Sequence, residues 1–374
     1  MKNFTAGNYI NQGYYKSFQP NYINRGWDLD DMELICLLGE ADRHLGRLDM
    51  FSVYTPNLDM FIQMHVTKEA TQSSKIEGTK TNIDEALMDK EDLALNRLDD
   101  WTEVQNYISA MNYGVDRLKE LPFSSRLIKE THAILLKGSR GQQKQPGNFR
   151  TSQNWIGGAT LADAVFIPPV HTSIADLMSD LEKFAHNQLA YFPELLKIAL
   201  IHYQFETIHP FLDGNGRVGR LFTTLYLVEK GILKQPVLYL SDFLERNRTA
   251  YYDNLMLARR QNDITQWFKF FLVGVIETAK KGISTLEQLL LLQKTVEAKI
   301  NTLGSRAPKA QKVLYYLYQK PVINTAAIAD ITGLSVAPSY KLAKDMEALG
   351  IIKEISGKQR GKTYVFEDYI SLFR

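Results

Sequence analysis

The sequence predicts a mainly α protein, a helical core with a small β-hairpin flap and a further helical unit at its C-terminal end. Three observations predict this. Apolar residues recur at three- and four-residue spacing through most of the chain, the period of helices with one buried stripe. Glycine and proline interrupt that period between residues 138 and 170, around two short apolar runs. A separate rhythm of short helices, a tight turn and two strand-like runs begins after Gly304-Ser305-Arg306-Ala307-Pro308.

At 374 residues the chain exceeds one ordinary core, so two or three domains are expected. Its 45% apolar and 23% charged residues belong to the soluble globular class. A formal net charge of +2 gives no global bias toward nucleic acid or membrane. The single cysteine, Cys36, excludes an intrachain disulfide framework and a multi-cysteine zinc site, and is expected in the core. The polar stretch Met1 to Gly13 lacks the apolar run of a secretory signal. No segment approaches the ~20 apolar residues that span a bilayer. A cytoplasmic location, with access to ATP, is the expectation.

Taken in order, residues 1–27 are rich in Asn, Tyr and Gly and read as an arm packing irregularly on the body. Helical pattern begins near Asp28-Leu29-Asp30-Asp31, whose acids suit a first turn. Leu58, Phe61, Ile62, His65, Val66 and Ala70 make one face of a helix that Gly78 stops. Glu77 then sits at the helix C-terminus, where its charge opposes the macrodipole by about 0.3–1 kcal/mol. Either Ser74-x-x-Glu77 is a capping box for the next helix, or Glu77 pairs with an arginine elsewhere. Thr81-x-x-Asp84 offers that helix a better cap, which favours the arginine. Two more helices lie over about 100–137 (Val104, Ile108, Met111, Val115; Leu127, Ile128, Ile134, Leu135), with His132 packing or capping in the second.

Phe149 to Ile156 and Ala164 to Ile167 read as two short strands of a flap spanning about 148–170. An exposed strand edge could hold an extended target segment by backbone hydrogen bonds; the alternative is a plain connecting loop. A helix over 174–190 leads to two strongly apolar helices, and between them lies His209-Pro210-Phe211-Leu212-Asp213-Gly214-Asn215-Gly216-Arg217-Val218-Gly219-Arg220. Gly214 and Gly216 allow amides to point inward, and the following helix N-terminus adds free N–H groups. Arg217 and Arg220 supply guanidinium forks for phosphate oxygens. Asp213 beside a phosphate site suits Mg²⁺, and His209 is a base that titrates near neutrality. A glycine-rich interhelical turn with surface arginines is the plain alternative. So many chemically loaded positions in one short span favour phosphoryl or nucleotidyl transfer. His202, seven residues earlier, lacks the spacing of a metal pair and is expected to be packed. Beyond the loop, Tyr251 and Tyr252 are candidates to stack on a purine or to fill the core. Trp267 to Leu272 read as a helix closing the core, followed by a long helix to about Thr302.

The central segment resembles the signature of the Fic family, His-Pro-Phe-x-[Asp/Glu]-Gly-Asn-Gly-Arg-x-x-Arg, with every defining position filled. The resemblance extends over roughly residues 60–290. It implies a Fic-fold helical core that transfers AMP from Mg²⁺-ATP to a Ser, Thr or Tyr hydroxyl of a target protein or of itself. His209 would be the general base, Phe211 the anchor of the loop and Asp213 the Mg²⁺ ligand. Gly214, Asn215, Gly216, Arg217, Val218, Gly219 and Arg220 would contact ATP, and Tyr252 would line the nucleotide pocket. Ser73-x-x-x-Glu77-Gly78 is similar to the family's inhibitory motif, whose glutamate binds the second signature arginine, here Arg220. The resemblance also implies removal of AMP at the same site, as a weaker expectation. Alternatives are transfer of UMP, phosphate or phosphocholine, or a DNA-binding regulator using the fold as a nucleotide sensor.

The implied domains are an N-terminal arm and helices (1–57), a Fic region (58–303, inhibitory helix about 58–78) and a C-terminal unit (304–374). That last unit resembles a winged helix-turn-helix, with Ser335 to Leu349 as recognition helix. Lys341, Lys344, Lys358, Arg360 and Lys362 could meet DNA, but Asp345 and Glu347 dilute the helix. A protein-interaction or dimerisation role is therefore preferred. Expected partners are ATP and a target docked at the flap, with a homodimer as an option, DNA not favoured and no membrane.

Overall fold

The computed structural model describes residues 3–55, 58–138, 140–188, 192–357, 359 and 361–374. The N-terminal segment is not irregular. β1 (Gly7–Asn11) and β2 (Lys16–Pro20) form an antiparallel hairpin with Tyr9 opposite Phe18. Phe18 is buried against Phe166, and its N–H donates to the carbonyl of Ile167. The hairpin is thus ordered by the flap it backs, a partner too distant in sequence for local reading.

α1 (Met32–Tyr54) starts at Asp31, whose carboxylate accepts from the Leu34 N–H. Its buried stripe of Leu34, Ala41, Leu45 and Leu48 faces the long helix over Thr265–Asn301. Cys36 lies two residues off that stripe, about 200° around the helix, and is exposed, which corrects its expected place in the core. α2 (Leu58–Ile76) ends in a turn where Gly78 adopts φ +102°. α3 (Ile83–Ala86) is capped by Asn82 and Glu85 in a reciprocal capping box, one residue beyond the expected Thr81 and Asp84. Thr81 is itself buried, with its hydroxyl unused.

The core continues as α4 (Leu98–Arg117), α5 (Ser125–Leu135), α6 (Ile174–His186), α7 (Glu194–Ile208), α8 (Asn215–Glu229), α9 (Ser241–Arg246), α10 (Arg248–Gln261) and α11 (Thr265–Asn301). α7 is buried from Leu195 to Ile208 and packs against α6, α8 and α11. The two helices expected over 267–302 are one helix of 37 residues. No proline interrupts it. Its glycines mark close packing: a Cβ at Gly274 would meet the Phe243 ring at 2.7 Å, and one at Gly282 would meet Leu48 at 3.0 Å.

Past a 3₁₀ turn at Gly304–Arg306, α12 (Ala307–Gln319) starts at once with Pro308 in its first turn. β3 (Val322–Asn324), α13 (Thr325–Thr332), α14 (Val336–Ala348), β4 (Lys353–Glu354), β5 (Thr363–Val365) and α15 (Glu367–Ser371) complete the chain. The antiparallel sheet has order β3-β5-β4, and Gly333 makes the turn between α13 and α14 at φ +66°. Phe373 packs on Phe61 and His65, so the C-terminal end touches α2. Lys341 and Lys344 are exposed, and Lys362 pairs with Glu354 at 3.3 Å. Lys358 and Arg360 lie outside the described residues. Among the described residues, no helix is long and apolar enough to cross a membrane.

Candidate active site

α7 stops because His209 turns left-handed (φ 49°, ψ 61°) just before Pro210, which has no N–H with which to continue the helix. That backbone costs a non-glycine residue about 1–2 kcal/mol. The loop offsets it with a dense set of bonds. Arg150 Nε and Asn154 Nδ2 donate to the His209 carbonyl at 3.0 and 3.2 Å. Arg150 also donates to the Ser152 and Pro169 carbonyls, and Asn154 to that of Phe211. Burial lowers the Arg150 pKa to about 10, which leaves it charged at neutrality. Asn215 closes the loop from the other side: Oδ1 accepts from the Phe211 N–H and Nδ2 donates to the Phe211 carbonyl, both at 2.9 Å. Phe211 is fully buried and stacks on His132 at 3.7 Å, 9° from parallel. The Gly147 N–H meets His132 Nδ1 at 2.8 Å, which assigns the proton to Nε2, 3.0 Å from the Asp213 carbonyl. Burial brings the His132 pKa down to about 4, so the ring is a neutral strut.

Beside this loop opens a cavity of about 520 Å³. His209, Glu206, Gly216, Arg220 and Glu77 form one wall, Tyr251, Tyr252, Leu255 and Met256 another, and Trp155, Ile156 and Val165 the flap side. Burial, assisted by the charge of Arg150, lowers the His209 pKa to about 3. Its imidazole is therefore neutral and able to accept a proton. Glu77 Oε1 lies 2.7 Å from Arg220 Nη2. Arg220 also donates to Ser73, from Nε to Oγ at 2.9 Å and from Nη2 to the carbonyl at 2.8 Å. Burial pushes the Glu77 carboxyl up, but the charge and hydrogen bond of Arg220 outweigh it and hold the group below its usual range. Gly216 makes the approach possible: a Cβ there would fall 2.3 Å from Glu77 Oε1. α2 is moored by Glu69, which accepts from the Ser241 N–H and the Tyr107 hydroxyl, both at 3.0 Å.

Of the expected site residues, the structure gathers His209, Gly216, Arg220, Glu77 and Tyr252 around one cavity, with Ser73 on the back of Arg220. It sends others elsewhere. Arg217 leaves the cavity for Glu103, Nη1 to Oε2 at 3.0 Å, and reaches Asp213 at 3.4 Å. Asn215 spends its side chain on Phe211. Val218 is in the core, and the Gly219 carbonyl faces His202 Nδ1 at 3.1 Å, so neither lines the cavity. Gly214 is left-handed (φ +77°) and packs against His132. Asp213 is 44% exposed at the rim of the loop. Its Oδ1 accepts from the Gly214 N–H, while Oδ2 meets no hydrogen-bond donor among the described residues. One open carboxylate oxygen on the loop that carries His209 and Gly216 to the cavity fits Mg²⁺, which takes one or two carboxylates and completes its shell with phosphate and water. Among the described residues there is no cluster of three or more acids, histidines or cysteines that would hold a metal by protein groups alone.

The flap also departs from expectation. In place of two strands there is a single antiparallel bridge, Ile156 to Phe166. Asp163 captures the amides of Ala159 and Thr160 at 2.9 and 2.6 Å, and Gly157 and Gly158 take positive φ, so the intervening residues form a turn. Glu103, His132, Arg150, Asn154 and Glu206 are not candidate site residues by sequence, yet they shape the site. Only Glu206, an acid one turn before His209 on a helix rich in apolar residues, left a readable signal.

Two models of the Fic/DOC family match the chain: the family's N-terminal region at residues 35–116 and the Fic/DOC domain at 122–227. The chain belongs to the Fic/DOC family. A protein adenylyltransferase Fic of Aedes aegypti is 33% identical over 125 residues, 33% of this chain and 22% of that protein. A probable protein adenylyltransferase of Aquifex aeolicus is 28% identical over 201 residues, 54% of this chain and 57% of that protein. The chain thus spans between about a fifth and three fifths of these relatives. A crystal structure of a Fic family protein from Desulfovibrio desulfuricans superposes with a TM-score of 0.58 at 21% identity, covering 91% of this chain and 98% of that one. A Fic domain containing signaling protein from Bacteroides thetaiotaomicron gives 0.55 at 18% identity, covering 67% and 97%. These likenesses establish a Fic fold.

Proposed function

We propose that this chain is an autoinhibited protein adenylyltransferase. It transfers AMP from ATP to a hydroxyl side chain of a protein. The observation that carries the reading is the Glu77–Arg220 contact, made inside the same cavity as the neutral imidazole of His209. Arg220 is the phosphate fork, and a carboxylate on it occupies the place of a phosphate oxygen. With Glu77 withdrawn, the triphosphate lies along the α8 N-terminus and Arg220, and the purine lies toward Tyr252. His209 takes the proton of the target hydroxyl. The oxygen bonds to the α-phosphorus, the α–β anhydride bond breaks, and pyrophosphate leaves with the electron pair. Asp213 would hold Mg²⁺ with the phosphate oxygens, and the metal, when bound, neutralises phosphate charge. The exposed rim of Trp155 and Val165 is where a target segment would dock.

The test uses ATP labelled at either the α- or the γ-phosphate. Label from the α position should enter protein and label from the γ position should not. His209→Ala should abolish the signal, while Tm stays close to the unsubstituted value. Incorporation from the γ position would instead make the chain a kinase.

A further inference from the structure

One buried acid on the cavity wall makes no direct contact with the reacting atoms. Glu206 is 6% exposed and lies on α7, one turn before His209. Its Oε1 is buried without a hydrogen-bond partner, and so is Nδ1 of His209. The other carboxyl oxygen, Oε2, stands 3.9 Å from that Nδ1, and the Glu206 backbone lies against the same ring. Room for the carboxyl is made by Gly219 of α8, where a Cβ would fall 2.5 Å from Oε1. An unpartnered ring nitrogen beside a carboxyl that itself carries an unpartnered oxygen calls for an explanation. Hydrogen bonds at such sites are often long until substrate tightens them.

We propose that Glu206 is a positioning residue for His209: its carboxylate takes the Nδ1–H, points Nε2 at the target hydroxyl and balances the imidazolium that forms. This rests on the adenylyl-transfer reading. In that reaction Nε2 gains the hydroxyl proton as the oxygen–phosphorus bond forms and pyrophosphate departs. The ring then carries a full positive charge, and Glu206 is the nearest acid behind it.

The surroundings set the pH range over which this works. Arg220 of α8 and Arg259 of α10 draw the Glu206 carboxyl down; Glu77, in the turn after α2, pushes it up, and the Tyr251 hydroxyl of α10 faces it. Arg150, Arg259 and Glu77 face the His209 ring. Burial dominates and lifts Glu206 to about 7, whereas His209 stays neutral down to about 3. Ionisation of Glu206, not of His209, therefore produces the rise of transfer rate through neutrality.

The experiment measures AMP transfer by the full chain carrying Glu77→Gly, from about pH 5.5 to 9. Without Glu77, which pushes the Glu206 carboxyl up, the rate should climb at or somewhat below about pH 7 and level off. Adding Glu206→Gln should flatten that limb and lower the plateau roughly 10- to 100-fold, with KM for ATP held within about twofold. Glu206→Asp should restore part of the limb. A limb that survives Glu206→Gln, or a loss that falls on KM, overturns the proposal. A second readout needs no turnover. In protein with ¹⁵N-labelled histidine, Glu206→Gln should shift the His209 ring signals and move their titration to lower pH. Unmoved signals overturn the pairing. Moved signals with no AMP transfer by any variant would uphold the pair and overturn the transferase reading instead.

Discussion

The two arginines of the signature helix stand three residues apart and meet opposite fates. Each guanidinium is claimed by a carboxylate from a distant element. Arg220 is held by Glu77, past the last turn of α2, beside a glycine at φ +102°, with the glutamate side chain 34% exposed. Arg217 is held by Glu103 in the middle of α4, with the glutamate side chain 11% exposed and also bonded to Arg140 at 2.9 Å. The chemistry of the two pairs is the same; their supports differ. A carboxylate on a short, half-solvated turn can leave without disturbing a helix. One in mid-helix cannot leave without dismantling two elements. On the proposed reading the first pair is a removable clasp on a phosphate fork, whereas the second anchors the loop to the body.

The comparison breaks most readily at the clasp. Glu77→Gly removes a charge-assisted contact worth about 1.5–3 kcal/mol, so AMP incorporation should rise roughly 10- to 100-fold. Incorporation of α-labelled phosphate measures this. Tm should move only modestly, since Arg220 keeps both of its hydrogen bonds to Ser73. A variant with no more label than the parent protein would end the clasp reading.

Glu103→Gln should do the reverse. It leaves a buried guanidinium with only the longer contact to Asp213 at 3.4 Å, at a cost of up to about 3–5 kcal/mol. In a chain of this size that lowers Tm by roughly 1–2 °C for each kcal/mol. Transfer by the double variant with Glu77→Gly should fall below that of Glu77→Gly alone, because the loop carrying Asp213 loosens. Should Glu103→Gln alone raise labelling as Glu77→Gly does, the two pairs would be equivalent and the distinction would fail.

The same contrast explains what could be read from the chain itself. The Glu77–Arg220 contact was legible because Glu77 breaks a local rule: an acid at a helix C-terminus, next to a stop glycine, wants an outside partner. The signature loop was legible because its residues are contiguous. Glu103 breaks no rule on an amphipathic helix and reads as a solvated acid until the fold brings Arg217 to it. The roles of His132 and Arg150 were hidden for the same reason, since their partners are backbone carbonyls of residues 208–213, and carbonyls carry no sequence signal. The N-terminal hairpin and the reduced flap failed together. Each depends on the other through Phe18, Phe166 and the Ile167 carbonyl, and neither has a strand period of its own.

The smallest effect should come from pH, and it separates the clasp from the base machinery. The folded Glu77 carboxyl lies below its ordinary value of 4.5. A group with a depressed pKa keeps its pairing at any pH above the ordinary value and loses it only as pH falls through the depressed one. Between about pH 6 and 9 the clasp therefore stays ionised and closed, whatever happens to Glu206 or His209. Glu77 itself pushes the Glu206 carboxyl up, so the ratio of parent to Glu77→Gly rates is taken with Glu206→Gln in both proteins, which removes that titration, while His209 stays neutral over the whole range. In that background the ratio should be flat across this range. A ratio that shrinks as pH drops from about 7 to 6 would show protons opening the clasp, which Arg220 at 2.7 Å should prevent. The release of Glu77 must then come from motion of the turn that carries it, at constant charge.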